Sequence, residues 1–529
     1  MIASGVRLTA AGRAGDESGV GDLSELPRGW ARVTLQDVAI WSSGGTPSRS
    51  KPEYFSGSIP WLKTGELGLR VIYTAEEHIS ESAIDASSAK VFAKGSVAIA
   101  MYGATIGKTS ILGIDAATNQ ACAVGIPDAT NSEFLYYFLV SQEKGFVDAG
   151  KGGAQPNISQ GIVKDWPISL PPRAEQTRIV AKLEELLFDL DAGVAELKGA
   201  QKKLGQYRQS LLKAAVEGSL TAEWRTQNLV METGGQLLGR ILSERRTRWE
   251  AKLLAKFNKQ GKKPPTGWQL KYPEPALPAI AGLPNLPKGW VWASTDQTTE
   301  VVSGFAFSSA DFCVGGVPVT KIANIGYGVY EGAIDQDCLP ESFVAIHREF
   351  MVSAGDLLIA LTRPITSNQL KICRYPPGLR DSFLNQRVAA LRPIIGDLTV
   401  LFYFAMRAPY FLAGVRQRTS ETLQPNMSPN ALKVLAVPIP SSLEETKVIV
   451  EVVTSQLAAI NGQLRDLERA LKQSTAQRQN ILRAAFAGQL VPQDPNDEPA
   501  SALLARIRAE RAAREATKKP RNRIARDAA

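Results

Sequence analysis

The strongest constraint on the fold is that this sequence of 529 residues contains the same series of motifs twice. Matching motifs keep their order and lie about 260 to 270 residues apart. A repeat of this length predicts two versions of one structural unit, in keeping with the two or three domains that the chain length suggests. The matching motifs are Leu26-Pro27-Arg28-Gly29-Trp30 with Leu286-Pro287-Lys288-Gly289-Trp290, Gln155-Pro156-Asn157-Ile158-Ser159 with Gln424-Pro425-Asn426-Met427-Ser428, RQSLLKAAVEGSL (208–220) with RQNILRAAFAGQL (478–490), and QLLGRILSERR (236–246) with ALLARIRAERA (502–512).

Each copy has two parts. The first part contains short β-type runs separated by Gly, Pro, Ser and Asn, with a few helical stretches, and predicts an α/β or α+β domain. The second part predicts one long helix. The predicted regions are an N-terminal tail (1–25), a first domain (26–172), a first long helix (173–218), a basic connector with a helix (219–285), a second domain (286–440), a second long helix (441–488) and a basic C-terminal segment with a helix (489–529).

Both long helices carry apolar residues at seven-residue intervals. Such a pattern keeps one seam facing a partner and favours a left-handed coiled coil, so we expect the two helices to pack together. Arg478 interrupts the second seam. Gly218 and Gly488 are predicted to cap the helix ends, and Ser442 with Glu445 to form a capping box. The predicted seam positions are Leu183, Leu190, Leu197, Leu204, Leu211, Leu457, Ile460, Leu464, Leu467 and Leu471.

The net charge of +9 is concentrated in two segments. Residues 236–273 contain ten Lys/Arg and two acidic residues, and residues 501–529 contain nine and three. Such segments suit nucleic acid or an acidic protein surface as a partner, although a solvated helix face explains a charge run equally well. The first residues contain no apolar run of signal-peptide length, and no stretch approaches a membrane span, so we expect a cytoplasmic protein.

The cysteines and histidines do not show the spacing of a metal site. There is no C-x-x-C pair, and the two histidines, His78 and His347, are far from each other. We therefore expect neither a zinc site nor a Cys/His nucleophile pair, and we interpret the cysteines as buried free thiols. The cysteines are Cys122, Cys313, Cys338 and Cys373.

Residues 97–109 resemble a phosphate-binding P-loop, because a strand-like run leads into a turn that ends in Gly-Lys-Thr. Only three residues separate the two glycines of the turn, and Tyr102 occupies the position of the first P-loop glycine. The equivalent turn of the second copy (361–366) contains no glycine. We therefore expect no ATP site, and a nucleotide-binding enzyme is kept as an alternative that this turn alone suggests.

Taken together, these features resemble the specificity subunit of type I restriction–modification enzymes. The resemblance rests on the tandem plan of domain and helix, and on the Leu-Pro-x-Gly-Trp motif in each copy. The second copy departs from the first at residues 303–307, where Ser-Gly-Phe-Ala-Phe replaces Ser-Gly-Gly-Thr-Pro. The other residues that carry the resemblance are Ser43-Gly44-Gly45-Thr46-Pro47-Ser48, Ile59-Pro60-Trp61-Leu62, the Gly-Ala-Thr-Ile-Gly-Lys turn (103–108), and the pairs Asn119-Gln120 and Asn385-Gln386.

The resemblance implies both a fold and a function. The fold has two α/β (α+β) recognition domains in tandem, separated by two long helices that form an antiparallel coiled coil with an internal pseudo-two-fold repeat. The domains read the halves of a bipartite double-stranded DNA target. The chain recruits two DNA adenine methyltransferase subunits, which bring S-adenosylmethionine, and restriction subunits, which bring ATP and Mg. It is then no enzyme and binds no cofactor itself. A coiled-coil assembly scaffold that does not read DNA is the second alternative.

Loop position and side-chain chemistry select the candidate DNA contacts. Polar residues in turns can bond phosphates or base edges, although the same residues also cap turns. Positions that both copies share suit phosphate contacts or architecture, and unshared positions suit base reading. Arg363 and Arg49 are the candidates for base reading, and Lys108 for a phosphate contact. The candidate contacts are Thr46, Ser48, Arg49, Lys51, Lys63, Tyr102, Thr105, Lys108, Lys151, Gln155 and Asn157 in the first copy, and Ser308, Lys321, Asn324, Arg363, Asn368, Arg416, Arg418, Gln424 and Asn426 in the second.

Overall fold

A computed structural model describes residues 26–150, 156–228, 232–332, 337–420 and 423–517. The chain divides into two structural units. Of the described residues, the first unit contains 26–150, 156–197 and 469–517, and the second contains those between Lys198 and Glu468. Each unit therefore combines the domain of one copy with segments of both long helices.

In the first unit, the central strand Val97–Ala100 is apolar and buried at every position, because both faces of its sheet are covered. The sheets have the strand orders β2-β10-β7-β8-β4, β5-β3-β9-β6 and β1-β11. The strands are β1 (Ala31–Thr34), β2 (Ala39–Ser43), β3 (Ile59–Leu62), β4 (Val71–Ile72), β5 (Glu77–Ile79), β6 (Val91–Phe92), β7 (Val97–Ala100), β8 (Thr109–Leu112), β9 (Ala116–Thr118), β10 (Cys122–Pro127) and β11 (Pro167–Leu170).

The second unit repeats this plan with the strand orders β13-β22-β17-β20, β15-β14-β21-β16, β12-β23 and β18-β19. As in the first unit, the central antiparallel sheet is built around one fully buried strand. The strands are β12 (Val291–Ser294), β13 (Thr299–Ser303), β14 (Val317–Thr320), β15 (Cys338–Leu339), β16 (Met351–Val352), β17 (Leu357–Ala360), β18 (Ile365–Thr366), β19 (Gln369–Leu370), β20 (Ile372–Arg374), β21 (Ser382–Leu384), β22 (Val388–Pro393) and β23 (Ala436–Ile439).

Most helices are short and pack on the sheets, while two are long. The helices are α1 (Leu35–Val38), α2 (Glu81–Asp85), α3 (Ser132–Ser141), α4 (Glu143–Ala149), α5 (Gln160–Lys164), α6 (Arg173–Val216), α7 (Ala222–Gln227), α8 (Gly234–Lys259), α9 (Thr295–Thr298), α10 (Phe343–His347), α11 (Thr399–Ala405), α12 (Pro409–Gln417), α13 (Pro429–Lys433), α14 (Leu443–Phe486) and α15 (Ala500–Thr517).

The long helices α6 and α14 have 44 residues each and pack in antiparallel orientation, as predicted. In the first unit, the start of α6 shares a core with the end of α14, where Asp191 and Arg478 form an ion pair. In the second unit, Tyr207 Oη of α6 donates to Gln456 Oε1 of α14 at 3.0 Å. The buried seam positions are Leu183, Leu211, Leu457 and Ile460, and the half-buried ones are Leu190, Leu197, Leu204, Leu464, Leu467 and Leu471.

The Leu-Pro-x-Gly-Trp motif of the first copy joins three segments of the first unit. Trp30 Nε1 donates to Glu175 Oε2, in the first turn of α6, at 3.0 Å. The carbonyl of the motif's glycine accepts a bond of 2.9 Å from the backbone N–H of Ala500, where α15 begins. Gly488, just beyond α14, has φ +72°, and a Cβ there would lie 2.5 Å from the motif's proline. Only glycine therefore allows the end of α14 to approach the motif.

The second unit builds the same arrangement from the matching residues. Trp290 Nε1 donates to Glu445 Oε2 of α14 at 2.9 Å. The carbonyl of the motif's glycine accepts from Gly234, where α8 begins, at 2.6 Å. Gly218, beyond α6, has φ +67°, and its Cβ would lie 2.6 Å from the motif's proline. Both glycines therefore have the left-handed conformation predicted for them. We refer to Trp30–Glu175–Gly488 and Trp290–Glu445–Gly218 as the tryptophan–glutamate junctions.

The two junctions differ in what surrounds the carboxylate. Glu445 also accepts from Arg225 Nη1 at 2.6 Å and from Thr221 Oγ1 at 2.7 Å. Glu175 Oε1 is buried and has no hydrogen-bond partner among the described residues. The predicted capping box is wrong in its second half. Ser442 Oγ does accept from the backbone N–H of Glu445 at 3.1 Å, but the Glu445 carboxylate is taken by the junction.

We predict that replacing the two glutamates with glutamine has unequal effects on stability. Burial raises the pKa of the Glu175 carboxyl, because the buried site favours the protonated form. The stability that this protonated form contributes is lost as the pH rises through the raised pKa. Glu175→Gln should therefore change the unfolding free energy at neutral pH by about 1 kcal/mol or less. Glu445→Gln should cost about 3 kcal/mol, because it leaves Arg225 without its buried partner. Urea denaturation of both variants measures the difference. An equal loss in the two would contradict it.

The cysteines follow the prediction only in part. Cys122 and Cys373 are buried, and burial raises the pKa of each thiol to about 12. Cys313 is exposed and Cys338 half-buried, so the expectation of buried thiols is wrong for Cys313. Its backbone N–H donates to the Cys338 carbonyl at 3.0 Å, and its exposed thiol donates to the Gly315 carbonyl at 3.0 Å.

No single helix in the described ranges is long and apolar enough to cross a membrane. One bent pair of helical segments, Gly396–Ala405 and Pro409–Gln417, passes by length and composition alone. Leu401, Phe402 and Phe411 of this pair are buried in the core of the second unit, which accounts for the apolar composition.

Candidate nucleic-acid interface

One cluster of loops is built in the same way in both units, at one end of the central sheet. It brings together many of the polar residues that the sequence singled out. The three segments of each cluster are the hairpin turn (101–108 and 361–371), the docking loop (156–158 and 425–427) and the Asn-Gln turn (119–121 and 385–387).

In the first unit, backbone bonds hold the three segments together. Gly103 N–H donates to the Pro156 carbonyl, and Ile158 N–H donates to the Met101 carbonyl, both at 2.9 Å. Met101 N–H in turn donates to the Ala121 carbonyl at 2.8 Å. The hairpin turn therefore lies between the docking loop and the Asn-Gln turn.

The second unit repeats these three bonds with different residues. Arg363 N–H donates to the Pro425 carbonyl at 2.7 Å, and Met427 N–H to the Leu361 carbonyl at 2.8 Å. Leu361 N–H donates to the Arg387 carbonyl at 2.8 Å. Arg363 thus occupies the position of Gly103, and Arg387 the position of Ala121. Because the bonds are made by the backbone, the side chains at these positions are free to differ.

A lysine stands at the same position in both hairpin turns. Ala100 N–H donates to the Lys108 carbonyl at 2.9 Å, and Ala360 N–H to the Lys371 carbonyl at 3.1 Å. Lys108 is exposed and Lys371 half-buried, and neither ammonium has a partner among the described residues. The sequence reasoning missed Lys371. The residues around the two lysines share no motif, so their equivalence emerges only from the strand pairing.

The turn that resembles a P-loop connects two strands. β7 and β8 pair in antiparallel register, with Val97 opposite Ile111. A P-loop instead leads from a strand into a helix, whose N-terminus binds the phosphates. Thr109, at the position of the magnesium-binding hydroxyl, is buried, and its Oγ1 donates to the Gly107 carbonyl at 2.9 Å. The geometry of the turn is that of a hairpin.

The glycines of the Ser-Gly-Gly-Thr-Pro motif serve close packing. A Cβ on Gly44 would lie 2.2 Å from the Thr118 carbonyl oxygen, next to the Asn-Gln turn. Gly304 plays the same part in the second unit, where a Cβ would lie 2.1 Å from the Asn385 carbonyl oxygen. These residues therefore position the Asn-Gln turn.

Some candidate DNA contacts already have strong partners inside the protein. The Arg49 guanidinium lies 4.1 Å from the Phe55 ring centroid and forms an ion pair of 2.7 Å with Glu77. Lys63 Nζ bonds Glu77 at 3.0 Å and Glu76 at 3.1 Å, and these bonds raise the pKa of Lys63. Either cation would have to leave a carboxylate in order to contact DNA.

Asn324 is placed unfavourably for any external contact. It is buried, its Oδ1 accepts from the backbone N–H of Lys321 at 2.8 Å, and its Nδ2 donates to the Glu331 carbonyl at 2.9 Å. Lys321 forms an ion pair with Asp337 and lies over the Phe312 ring. This placement indicates that Asn324 stabilises its own turn.

Of the remaining candidates, some have partners inside their unit, some are exposed at the loop cluster, and Asn426 is both. Partners inside the unit are found for Thr46 (Gln120), Ser48 (Ser50), Lys51 (Tyr54), Thr105 (Tyr102 carbonyl), Ser308 (Ala310 N–H), Asn368 (Arg416), Arg418 (Gly414 carbonyl) and Asn426 (Gln424 carbonyl). The side chains exposed at the loop cluster are Tyr102, Lys108, Asn157, Arg363, Gln424 and Asn426. Lys151 and Gln155 lie outside the described residues.

Metal binding has no support in the described part of the chain. There, no group of three or more His, Cys, Asp or Glu side chains is placed to hold a metal ion.

We predict that the isolated chain neither binds nor hydrolyses ATP, because the turn at Lys108 is a strand-to-strand hairpin. A filter-binding assay and a phosphate-release assay at millimolar ATP and Mg²⁺ test this, with Lys108→Ala as the paired variant. Hydrolysis that disappears in Lys108→Ala would show that the turn is a nucleotide site after all.

Comparison with known proteins agrees with this geometry. Residues 27–196 match the family model described as type I restriction modification DNA specificity domain. The chain is 26% identical over 503 residues to the type I restriction enzyme EcoDI specificity subunit of Escherichia coli, covering 92% of this chain and 97% of that protein. It is 22% identical over 470 residues to the MjaVIII specificity subunit of Methanocaldococcus jannaschii, covering 88% and 94%. A chain from a solved structure of a type I R-M system, described by its complex assembly and conformational transition, shares the fold with a TM-score of 0.60 at 17% identity, covering 88% of this chain and 99% of that one. Residues 27–196 thus match a type I restriction modification DNA specificity domain, and nearly the whole chain is similar to type I restriction enzyme specificity subunits.

Proposed function

We propose that this chain reads a bipartite double-stranded DNA target, one half through each unit, and recruits two DNA adenine methyltransferase subunits and the restriction subunits. The observation that carries the proposal is the loop cluster, which the backbone builds twice in the same form and which carries unlike side chains at its surface. Two half-sites of different sequence require this combination of a common frame and different surface chemistry.

Shared and unshared positions of the cluster have different roles in this proposal. Lys108 with Lys371, and Asn157 with Asn426, occupy the same positions in the two units. Phosphates are the same at every sequence, so shared cations and amides suit phosphate contacts, while unshared positions suit base edges. Tyr102 faces Asn157 where Thr362 faces Asn426, so the surfaces differ beside the shared residues.

A scaffold that does not read DNA explains less of the structure. It accounts for the packing of α6 with α14 in each unit. It does not account for lysines kept at one exposed turn of two otherwise diverged domains, because unpaired surface cations contribute little to folding. DNA reading accounts for both.

The partners follow from the relatives and from the repeat. Each unit has its own junction and its own segment of the helix pair, so the chain offers two equivalent places for two copies of one partner. In this proposal the methyltransferase subunits bind S-adenosylmethionine, and the restriction subunits bind ATP and Mg. The chain itself catalyses no reaction and works in the cytoplasm.

We predict that Lys108→Ala and Lys371→Ala weaken binding to every DNA sequence by about the same factor. Each should reduce the slope of log affinity against log salt by about one unit, as expected for one lost phosphate contact. Fluorescence anisotropy of the chain with its methyltransferase partner, at several salt concentrations, measures the slope. Lys202→Ala, on the exposed surface of α6, is the matched control. A loss confined to one target sequence would instead make either lysine a base reader.

We also predict that the long helices set the spacer between the half-sites. Inserting four residues after Gln201 in α6, and four after Arg465 in α14, lengthens both helices by roughly 6 Å and nearly keeps the apolar face in register. The preferred spacer should lengthen by about one or two base pairs, since B-DNA advances about 3.4 Å per pair. Methylome sequencing of cells with the variant complex reads the spacer directly. An unchanged spacer in a variant that folds and methylates would reject the measuring role.

A further inference from the structure

Two positions of the loop cluster carry arginine in the second unit and almost no side chain in the first. Arg363 stands where Gly103 stands, and Arg387 where Ala121 stands, because the same backbone bonds define each pair. Both arginine side chains are exposed, and within the described residues neither guanidinium has a partner. This sets them apart from Arg49, whose guanidinium is already paired with Glu77.

The backbone conformation of Arg363 costs free energy for any residue other than glycine. Its φ is +46°, in the left-handed region that favours glycine, and the equivalent Gly103 has φ +67°. Arg363 also precedes Pro364, and a residue before proline favours the extended region. Glycine would fit this position without strain, so the turn itself gives no reason for arginine. Strained residues of this kind cluster at functional sites.

The space around the position allows exchange between the units. A Cβ added to Gly103 would have no heavy atom within 4 Å, so the first unit can accept a side chain there. The second unit demonstrates that the turn keeps its bonds to the docking loop with arginine in place, since Arg363 N–H still donates to Pro425.

We infer that Arg363 and Arg387 read guanine in the half-site of the second unit, and that the position of Gly103 and Arg363 is an exchangeable reading position of this fold. This rests on the proposed function. Arginine bonds guanine O6 and N7 with two parallel N–H groups, which makes it selective for that base in the major groove. The first unit, with Gly103 and Ala121, reads its half-site without side chains from these positions.

The experiment uses the full chain assembled with its methyltransferase subunits and a library of duplexes randomised across the bipartite site, with bound duplexes sequenced. Arg363→Gly and Arg387→Ala should each reduce the preference for guanine at one base pair by roughly 5- to 100-fold. Both should affect the same half-site and leave the other unchanged. Arg363→Lys, which keeps the charge but loses the two-pronged geometry, should lose most of the preference as well. Arg248→Ala, an exposed arginine of α8, is the control.

Two further measurements separate reading from folding. Arg363→Gly should leave the thermal midpoint unchanged or raise it by a few degrees, because strain is relieved. Gly103→Arg should create a new base preference in the half-site that the other two variants leave alone.

The outcomes are distinguishable. Equal loss by Arg363→Gly on all sequences would make the side chain a phosphate contact and overturn the inference. So would an unchanged guanine preference, or a change in both half-sites. If the wild-type complex selects no two-part sequence at all, the proposed function itself fails. If it does select one that the variants leave intact, only this inference fails.

Discussion

The buried bond between a tryptophan indole and a glutamate carboxylate is the contact on which the rest of each unit depends. Trp30 and Trp290 end the motif that begins each domain, and Glu175 and Glu445 lie in the first turn of the long helix that follows the same domain. A buried hydrogen bond of this kind contributes about 1–3 kcal/mol. Its loss would leave Glu175 without a donor among the described residues, while Glu445 would keep those of Arg225 and Thr221. The bond therefore fixes how each helix leaves its domain.

The loop cluster is held together by backbone hydrogen bonds and close packing. Its three segments are joined by backbone N–H and carbonyl groups, and the sheet below them is apolar at every position of β7 and β17. Packing is close where the chain crosses itself, as Gly44 and Gly304 show. Because backbone groups make these bonds, the fold of the cluster does not require particular side chains at its surface. Outward-facing side chains can therefore differ between the two units, as Gly103 and Arg363 do at one equivalent position.

Much of the fold could be predicted from the sequence, because its signals are periodic or repeated. The motif repeat predicted two units, the heptads predicted the pairing of α6 with α14, and Gly218 and Gly488 marked the helix ends. The sequence did not predict which segments make up each unit, because contacts such as that of Gly488 with Pro27 join residues from opposite ends of the chain. Such a contact leaves no local pattern.

The candidate site was predicted at the level of loops and less well at the level of side chains. A turn-forming role and a binding role select the same residue types, so sequence reasoning gave no warning that Asn324 is buried or that Arg49 is paired. The correspondence of Lys108 with Lys371 required the strand pairing, since the residues around the two lysines share no motif. The DNA-contact assignments stay predictions.

Each tryptophan–glutamate junction combines residues from both copies of the repeat. Each junction takes its tryptophan and glutamate from one copy and its glycine from the other, and the second junction takes the same residue types in the reverse assignment. Two separate polypeptides, each with a single domain and a single long helix, would satisfy both junctions equally well as a symmetric homodimer. Each half of the chain therefore carries every residue type that a junction needs, although no junction is complete within one half.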